Sequence, residues 1–266
     1  MQPVSIVGIL NVTPDSYVDG GLYTDVANAV ERVGQMLAEG ADIIDIGGQS
    51  TGPGSKDVPV DEELQRTIPV IEAILKKYPD TFVSIDTFRS QVAEEALKRG
   101  VRMVNDVTAG RSDQNIFSVS ALYKAEIVLM YAKDSSPRTT VQETEYRDVI
   151  GEIHAFLESR VAIAVAAGIP RERIIVDPGL GHFVSSSSQY SFEVLRRLGE
   201  FSDLGRIYVS PSRKSFLAGP ENLPVSERLP ATIAASAIAV MNGASFIRTH
   251  DVAAVRQGCE VAMASH

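Results

Sequence analysis

Short runs of β-branched and aliphatic residues recur along the chain, and each run ends in an amide or a carboxylate. Asn11 follows the first run, Asp45 the second, and Asp86, Asn105 and Asp177 follow three more. Segments with the apolar spacing of amphipathic helices lie between these runs. A regular alternation of strand and helix predicts parallel strands joined by right-handed crossovers. The polar strand ends are therefore expected to meet on one side of a single sheet.

The pattern predicts eight strands and eight helices. The strands are expected at residues 4–10, 41–46, 82–85, 101–104, 125–130, 174–176, 207–209 and 245–247, and the helices at 24–39, 61–78, 91–99, 116–123, 144–167, 192–198, 231–241 and 252–264. Thr24 is the expected N-cap of the first helix. An α/β fold with a single (β/α)₈ TIM barrel takes about 250 residues, so residues 1–266 are predicted to form one domain. The competing fold is a doubly wound open sheet, but no Gly-x-Gly-x-x-Gly motif follows the first strand.

Charge and cysteine content restrict the partners and the compartment. The formal net charge is −9, which argues against nucleic acid binding because that needs a broad basic face. No apolar run approaches the length of a membrane span, and the N-terminus lacks the pattern of a signal peptide. Cys259 is the only cysteine, so an internal disulfide is impossible and a reducing compartment fits. The chain is expected to be cytoplasmic, with no nucleic acid and no membrane partner.

The carboxylates and amides at the early strand ends predict a site for a donor-rich ring. In a barrel, the C-terminal ends of all strands face the side on which such enzymes place their active sites. A carboxylate accepts two parallel N–H bonds, so Asp86, Asn105 and Asp177 are suited to an amidine-like heterocycle. Taken singly, a polar residue after a strand is more often a helix cap or a turn former. The prediction depends on the whole set.

Cationic residues follow the last two predicted strands. Lys214 follows the seventh strand, and Arg248 and His250 follow the eighth, near where barrels commonly bind phosphate. A pyrophosphate is the expected anion, with Mg²⁺ bridging its oxygens and Asn11 supplying a neutral oxygen ligand. The cationic group is expected to lie across the barrel mouth from the carboxylates. No Cys/His metal cluster, Walker loop or nucleophile elbow suggests another chemistry.

Seven short blocks resemble the dihydropteroate synthase family and occur in that family's order. They are residues 8–16 (GILNVTPDS), 42–51 (DIIDIGGQST), 84–87 (SIDT), 104–106 (VND), 177–179 (DPG), 212–215 (SRKS) and 248–252 (RTHDV). The blocks extend over almost the whole chain. A single block means little, whereas seven in order are highly specific.

The resemblance implies a transferase of folate biosynthesis. The implied reaction condenses 7,8-dihydropterin-6-ylmethyl pyrophosphate with p-aminobenzoate, through an SN1-like pterin-methyl cation, to give 7,8-dihydropteroate and pyrophosphate. It also implies Mg²⁺ as the cofactor, a homodimer as the assembly, and a site of the kind that sulfonamides target. The loops at residues 11–24 and 47–57 are expected to close and exclude water that would capture the cation.

The resemblance also implies roles for individual residues. Pterin binding is implied for Asp86, Asn105, Asp177, Phe183 and Lys214, pyrophosphate binding for Asn11, Arg248 and His250, and p-aminobenzoate binding for Thr51, Pro53 and Ser215. Asn11 would also bind the metal ion. The catalytic residues would be Asp19, Lys214, Arg248 and His250, with Asp19 stabilising the cation.

Three positions depart from the family's pattern. Gly52 stands where an arginine usually follows the Ser-Thr of the second loop, so one cationic contact to pyrophosphate is missing or comes from elsewhere. Lys56 is the candidate nearest in sequence. Residues 182–184 (HFV) replace a segment that often has Phe and then Lys, and Tyr131 stands where His is common.

Two alternative functions stay open. A pterin-binding methyltransferase that uses methyltetrahydrofolate resembles this family in barrel and pterin pocket. Its substrate carries no pyrophosphate, so the cations of residues 212–215 and 248–250 favour the synthase. A catalytically silent pterin-binding protein is suggested by Gly52. Pyrophosphate release that depends on the amine would distinguish the synthase from both.

Overall fold

A computed structural model of the protein describes residues 3–13 and 25–265. Within these ranges the strands are β1 (Ser5–Asn11), β2 (Ile43–Gly47), β3 (Phe82–Asp86), β4 (Met103–Asp106), β5 (Glu126–Met130), β6 (Ile174–Asp177), β7 (Arg206–Val209) and β8 (Ala244–Thr249). The α-helices are α1 (Val26–Ala38), α2 (Val60–Lys77), α3 (Ser90–Lys98), α4 (Asn115–Leu122), α5 (Val149–Ala166), α6 (Ser188–Arg196), α7 (Leu229–Met241) and α8 (Val252–Ala264). Each strand pairs in parallel with the next, and β8 pairs with β1, which closes a barrel. The predicted (β/α)₈ barrel is confirmed, and the open doubly wound sheet is wrong.

The largest differences from the predicted elements lie at helix starts. The prediction began the fifth helix at residue 144, but α5 begins at Val149 because the Asp148 carboxylate accepts the backbone N–H of Gly151 at 3.1 Å and caps it. The sixth helix begins at Ser188, earlier than the predicted residue 192. Asp25 caps α1 through the N–H of Ala27, whereas Thr24 lies outside the described residues. Across the described part of the chain, no helix has the length and apolar character needed to cross a membrane.

Apolar side chains fill the barrel interior on the side of the N-terminal ends of the strands, called here the lower part. The members of this apolar plug are buried and come from seven strands: Val7, Ile43, Met103, Val128, Ile175, Tyr208 and Phe246. A larger apolar layer lies between the outside of the barrel and the helices. Side chains alternate along a strand, so the residue two positions after a plug residue also points inward. By this alternation Asp45, Asn105, Asp177 and Arg248 form a polar layer above the plug.

The strand register places several of these polar residues at one level. Asn11 pairs with Gly47, Gly47 with Asp86, and Asp86 with Asn105. These residues lie within the strands, rather than just after them as predicted, so the ladder hydrogen bonds hold their backbone. Gly47 contributes no side chain to the row, which leaves space between Asn11 and Asp86.

Candidate active site

A cavity of about 460 Å³ opens at the C-terminal end of the barrel. Its walls contain nine of the residues predicted for the site: Asn11, Thr51, Pro53, Asp86, Phe183, Lys214, Ser215, Arg248 and His250. Asn105 and Asp177 are buried and lie outside the cavity wall. Asp19 lies outside the described residues. The structure therefore brings together in one cavity residues that are more than 200 positions apart in the sequence.

Arg248 makes two ion pairs inside the barrel mouth. Its Nε donates to Oδ2 of Asp45 at 2.6 Å, and its Nη2 donates to Oδ2 of Asp86 at 2.8 Å. The sequence predicted cations and carboxylates on opposite sides of the mouth, and this prediction is wrong for Arg248. The alternation along β8 explains the contact, because Arg248 follows the plug residue Phe246 by two positions and points into the barrel, where its side chain lies between the two carboxylates.

Asp45 joins the two halves of the predicted site. It is fully buried, and its Oδ2 accepts a bond from Nδ2 of Asn105 at 3.0 Å as well as the bond from Arg248. The sequence placed Asp45 at a strand end without assigning it a site role. Asp45 follows a short apolar run, as Asp86 does, so the same sequence pattern could have assigned it to the site.

Burial raises the pKa values of two carboxyl groups of the site, Asp86 and Asp177. Burial raises the pKa of Asp86 to about 7, because the lowering by Arg248 does not fully offset the loss of hydration and Asp45 adds a like charge. Burial likewise raises the pKa of Asp177 to about 6, against the opposing effects of Lys214 and the N–H of Gly179. Both carboxyl groups therefore titrate close to neutral pH.

Lys214 and Phe183 form one side of the cavity. The Nζ of Lys214 lies 5.1 Å from the centroid of the Phe183 ring, a cation–π distance. Burial lowers the pKa of Lys214 to about 8, although Asp177 opposes this change. Phe183 packs against a small buried cluster that includes Val107 and Met130. An apolar face next to an ammonium suits a flat heterocycle with a polar edge.

His250 lines the same cavity as Arg248. Burial lowers its pKa to about 3, and the neighbouring Arg248 lowers it further. The sequence grouped His250 with the cations that bind the anion, and that role stays a prediction. Ser212 Oγ accepts the backbone N–H of His250 at 3.2 Å and lies 2.9 Å from Nδ1. Ser212 therefore contacts both the backbone and the ring of His250 and fixes the orientation of the imidazole.

The loop between β2 and α2 contributes Thr51 and Pro53 to the cavity wall. A neighbouring loop holds it, since the backbone N–H of Thr139 donates to the carbonyl oxygen of Thr51 at 3.1 Å. Thr139 also lines the cavity, and the sequence carried no signal for it. Lys56, the predicted substitute for the cation missing at Gly52, is exposed and lies outside this wall.

Comparisons with known proteins agree with this geometry. A family model described as pterin binding enzyme matches residues 7–250. A dihydropteroate synthase from Synechocystis is 42% identical over 259 residues, which cover 97% of this chain and 88% of the relative. The chain belongs to the dihydropteroate synthases of the pterin binding enzyme family. The family resemblance predicted from the seven sequence blocks is therefore confirmed.

Solved dihydropteroate synthase structures have the same fold. The enzyme from Clostridium difficile, solved in the presence of pteroic acid, is 39% identical with a TM-score of 0.89, and the match covers 100% of this chain and 97% of that one. The enzyme from Xanthomonas albilineans, solved with 4-aminobenzoic acid, is 36% identical with a TM-score of 0.90, and the match covers 99% and 93%.

The other two departures from the dihydropteroate synthase pattern have different structural roles. His182 and Phe183 both line the cavity, whereas Val184 is buried in the outer apolar layer. Tyr131 also packs in that layer, and its hydroxyl lies 3.1 Å from that of Tyr146. The change at residues 182–184 therefore alters the cavity wall itself. The tyrosine at position 131 instead alters the packing of the apolar layer around the barrel.

The described residues fit a metal ion that is shared with a substrate. Within residues 3–13 and 25–265, no three His, Cys, Asp or Glu side chains are grouped to hold a metal. Asn11, a neutral oxygen donor, lies in the cavity wall with Asp86 and Arg248. Mg²⁺ is commonly bound by one or two protein oxygens together with substrate phosphates, so this donor set fits it.

Proposed function

We propose that this chain condenses 7,8-dihydropterin-6-ylmethyl pyrophosphate with p-aminobenzoate to form 7,8-dihydropteroate and pyrophosphate. The observation that carries the proposal is one cavity that holds the Asp86 carboxylate beside the cations of Lys214 and Arg248. The carboxylate suits the N–H groups of the pterin ring. The cations suit the oxygens of the ring and of the pyrophosphate.

Asp86, Asn105 and Asp177 would bind the pterin ring, with Lys214 donating to it and Phe183 lying against its face. Asp86 already shares one oxygen with Arg248, so a pterin N–H would compete with the guanidinium or use the other oxygen. Asp177 is fixed by the N–H of Gly179 at 2.8 Å and needs little reorganisation. Such fixed dipoles are effective because they are ordered before the substrate arrives.

Arg248, His250 and Asn11 would bind the pyrophosphate. When its methylene C–O bond breaks, the electron pair leaves with the pyrophosphate, and Arg248 and His250 would stabilise the developing charge. Mg²⁺, when bound at Asn11 with the pyrophosphate, would supply further neutralisation of that anion. Asp19 is proposed to stabilise the pterin-methyl cation that remains.

Thr51, Pro53 and Ser215 would hold p-aminobenzoate so that its nitrogen faces the cation. The amine attacks the methylene carbon, a C–N bond forms, and the amine proton is released to water or pyrophosphate. No covalent intermediate on the protein is needed. Closure of the loops at residues 11–24 and 47–57 would exclude water, which otherwise competes as the nucleophile.

The test measures pyrophosphate release by the purified chain with dihydropterin pyrophosphate and Mg²⁺, with and without p-aminobenzoate. We expect release that depends on the amine, together with dihydropteroate. An Arg99→Ala variant is the matched control, because this arginine pairs with Glu72 and Glu95 on the helical surface. Methyl transfer from methyltetrahydrofolate, or pterin binding without product under any divalent metal, would contradict the proposal.

The proposed assembly is a homodimer. Phe192 on α6 and Ile238 and Met241 on α7 are large apolar side chains that are about half exposed. Their neighbouring positions support an isologous interface with a second copy. Ile238→Asp is expected to shift the mass in solution from dimer to monomer, with activity of the monomer measured separately. A wild-type monomer at micromolar concentration would contradict this assembly.

We also propose a cytoplasmic enzyme that folds as one domain over residues 1–266. The closed barrel supports the domain proposal, since removing any strand would expose the apolar plug. A single cooperative urea transition is expected, and two separate transitions would contradict it. Cell fractionation tests the compartment, and recovery with membranes or outside the cytoplasm would contradict that part.

A further inference from the structure

Five polar side chains, one of which (Gln49) lines the cavity, form a closed hydrogen-bonded ring, called here the loop clasp. Glu63 Oε2 accepts Gln49 Nε2 at 2.6 Å and Arg89 Nη1 at 2.6 Å. Asp57 Oδ1 accepts Arg89 Nη2 at 3.2 Å and Arg138 Nη2 at 2.8 Å. Arg138 Nη2 also lies 3.0 Å from Gln49 Oε1, which completes the ring. The sequence assigned no role to any of the five.

Glu63 is the buried centre of the loop clasp. It lies in the first turn of α2, is fully buried, and accepts a further bond from Thr87 Oγ1 at 2.7 Å. Burial raises its pKa, as expected for a carboxylate removed from water. A buried carboxylate is retained at a cost that only several donors offset. Three donor atoms surround its carboxylate, Gln49 Nε2, Arg89 Nη1 and Thr87 Oγ1, and its backbone is held in α2, so its position is strongly determined.

The loop clasp includes residues near both ends of the β2–α2 loop. Gln49 is at the beginning of that loop and Asp57 is near its end, and Thr51 and Pro53 of the cavity wall lie between them. Arg89 reaches the loop from the segment after β3, and Arg138 reaches it from the long segment after β5. The N–H of Thr139, next to Arg138, bonds the carbonyl of Thr51.

These contacts matter because the β2–α2 loop loses a large conformational entropy when it becomes ordered. It contains Gly48, Gly52 and Gly54, and Gly54 adopts a φ of +77°. A glycine-rich backbone loses more conformational entropy on ordering than other sequences do. If the loop is ordered before the ligand arrives, this entropy loss does not reduce the free energy of ligand binding.

We propose that the loop clasp positions the β2–α2 loop for the amine substrate, with Arg138 as a positioning residue that never touches that substrate. This inference rests on the proposed function. When only a fraction of the molecules has the ordered loop, the apparent dissociation constant rises by the inverse of that fraction. Loss of the clasp therefore weakens p-aminobenzoate binding selectively, since the groups proposed for the pterin are outside it.

Arg138→Ala is the informative variant. Glu63 is less suitable, because its charge also raises the pKa of Asp86 and would affect pterin binding. For Arg138→Ala we expect KM for p-aminobenzoate to rise about tenfold, as for the loss of one charge-assisted hydrogen bond. KM for the pterin pyrophosphate and kcat at saturation should stay within about twofold of the wild type. Arg138→Lys should recover part of the loss.

Hydrogen exchange gives a second readout that needs no activity. Amides of residues 49–57 should exchange faster in Arg138→Ala than in the wild type, and as in the wild type in Arg99→Ala. Unchanged exchange and unchanged amine KM would overturn the proposal. Parallel rises in both KM values with a lower unfolding midpoint would also overturn it, by showing a general structural role. If the wild type makes no amine-dependent pyrophosphate, the proposed function fails, and exchange alone still decides whether Arg138 orders the loop.

Discussion

The Nη2 atom of Arg248 lies 2.8 Å from Oδ2 of Asp86, so the two ends of the predicted site are bound to each other before any ligand arrives. Because they neutralise one another, a ligand that carries only one complementary group competes with this ion pair or is limited to the other oxygen of Asp86. A substrate that carries both a donor-rich ring and an anion satisfies both partners when it separates them.

Pyrophosphate should therefore strengthen the binding of a pterin that lacks it. An anion that draws Arg248 away releases the Asp86 oxygen, and such coupling is reciprocal. We expect the affinity for a 6-hydroxymethylpterin, measured by calorimetry, to rise several-fold in saturating pyrophosphate and Mg²⁺. Arg248→Ala should remove the coupling. Equal pterin affinity with and without the anion would show that the ion pair does not separate.

Pterin binding should increase with pH through about 7. The pKa of Asp86 is raised by burial to about 7, so its charged, doubly accepting form grows as pH rises through that value. Asp86→Asn should bind pterin weakly, with little dependence on pH in this range. The exposed Asp80→Asn is the control and should keep the wild-type profile. A flat wild-type profile between about pH 6 and about pH 8 would contradict the role of Asp86.

Binding should decrease again above a pH of about 8. Burial lowers the pKa of Lys214 to about 8, so its ammonium loses the proton and its charge as pH rises through that value. Lys214→Gln should weaken binding at neutral pH and eliminate the alkaline decrease. Titration of pterin affinity to about pH 10 checks this, with circular dichroism to verify that the fold persists. An alkaline decrease that survives in Lys214→Gln belongs to another group.

Arg248→Ala should destabilise the ligand-free fold by about 3 kcal/mol or more, because it leaves the buried carboxylate of Asp45 and the partly buried one of Asp86 without their cation. Asp45 is fully buried and receives the shorter of the two bonds. Adding Asp45→Asn to Arg248→Ala should recover part of the lost free energy of unfolding without recovering activity. Urea unfolding of both single variants and the double variant gives the coupling energy. Strictly additive effects would show that the pair is not coupled.

Gly179→Ala should be far more damaging than Gly219→Ala. Both glycines have positive φ, +73° and +68°, so both variants pay for a left-handed alanine, about 1–2 kcal/mol. A Cβ at Gly179 would lie 2.6 Å from the carbonyl oxygen of Tyr131, whereas no atom lies within 4 Å of one at Gly219. We expect Gly179→Ala to cost at least about 3 kcal/mol in urea unfolding and to weaken pterin binding, since its N–H holds Asp177. Similar costs for both variants would refute the steric argument.

The barrel and the row of polar strand ends were predictable, because both follow from local patterns. Asn11 and Asp86 end β1 and β3, Asn105 is next to the last residue of β4, and the parallel register brings the three to one level. The contact between Arg248 and Asp45 was not predictable, since it joins residues 203 positions apart and depends on the shear of the closed barrel.

The role of Glu63 and the start of α5 could not be predicted, because the local sequence at each place is compatible with two structures. Glu63 has the position of an ordinary acidic residue in the first turn of a helix, yet it is buried in the loop clasp. Residues 144–148 fit a helix by composition, but the Asp148 cap starts α5 later and leaves a long segment that crosses the cavity rim. The partners that decide both cases are distant in sequence.

The apolar plug has a consequence for how this protein can change. Ile43, Met103, Ile175 and Phe246 each precede an inward polar residue by two positions. Inserting or deleting one residue ahead of the plug residue in such a strand would turn both outward and replace them with residues that now face the helices. The strands can therefore vary only by substitution, whereas changes of length are confined to the loops, and new specificity is expected to arise there.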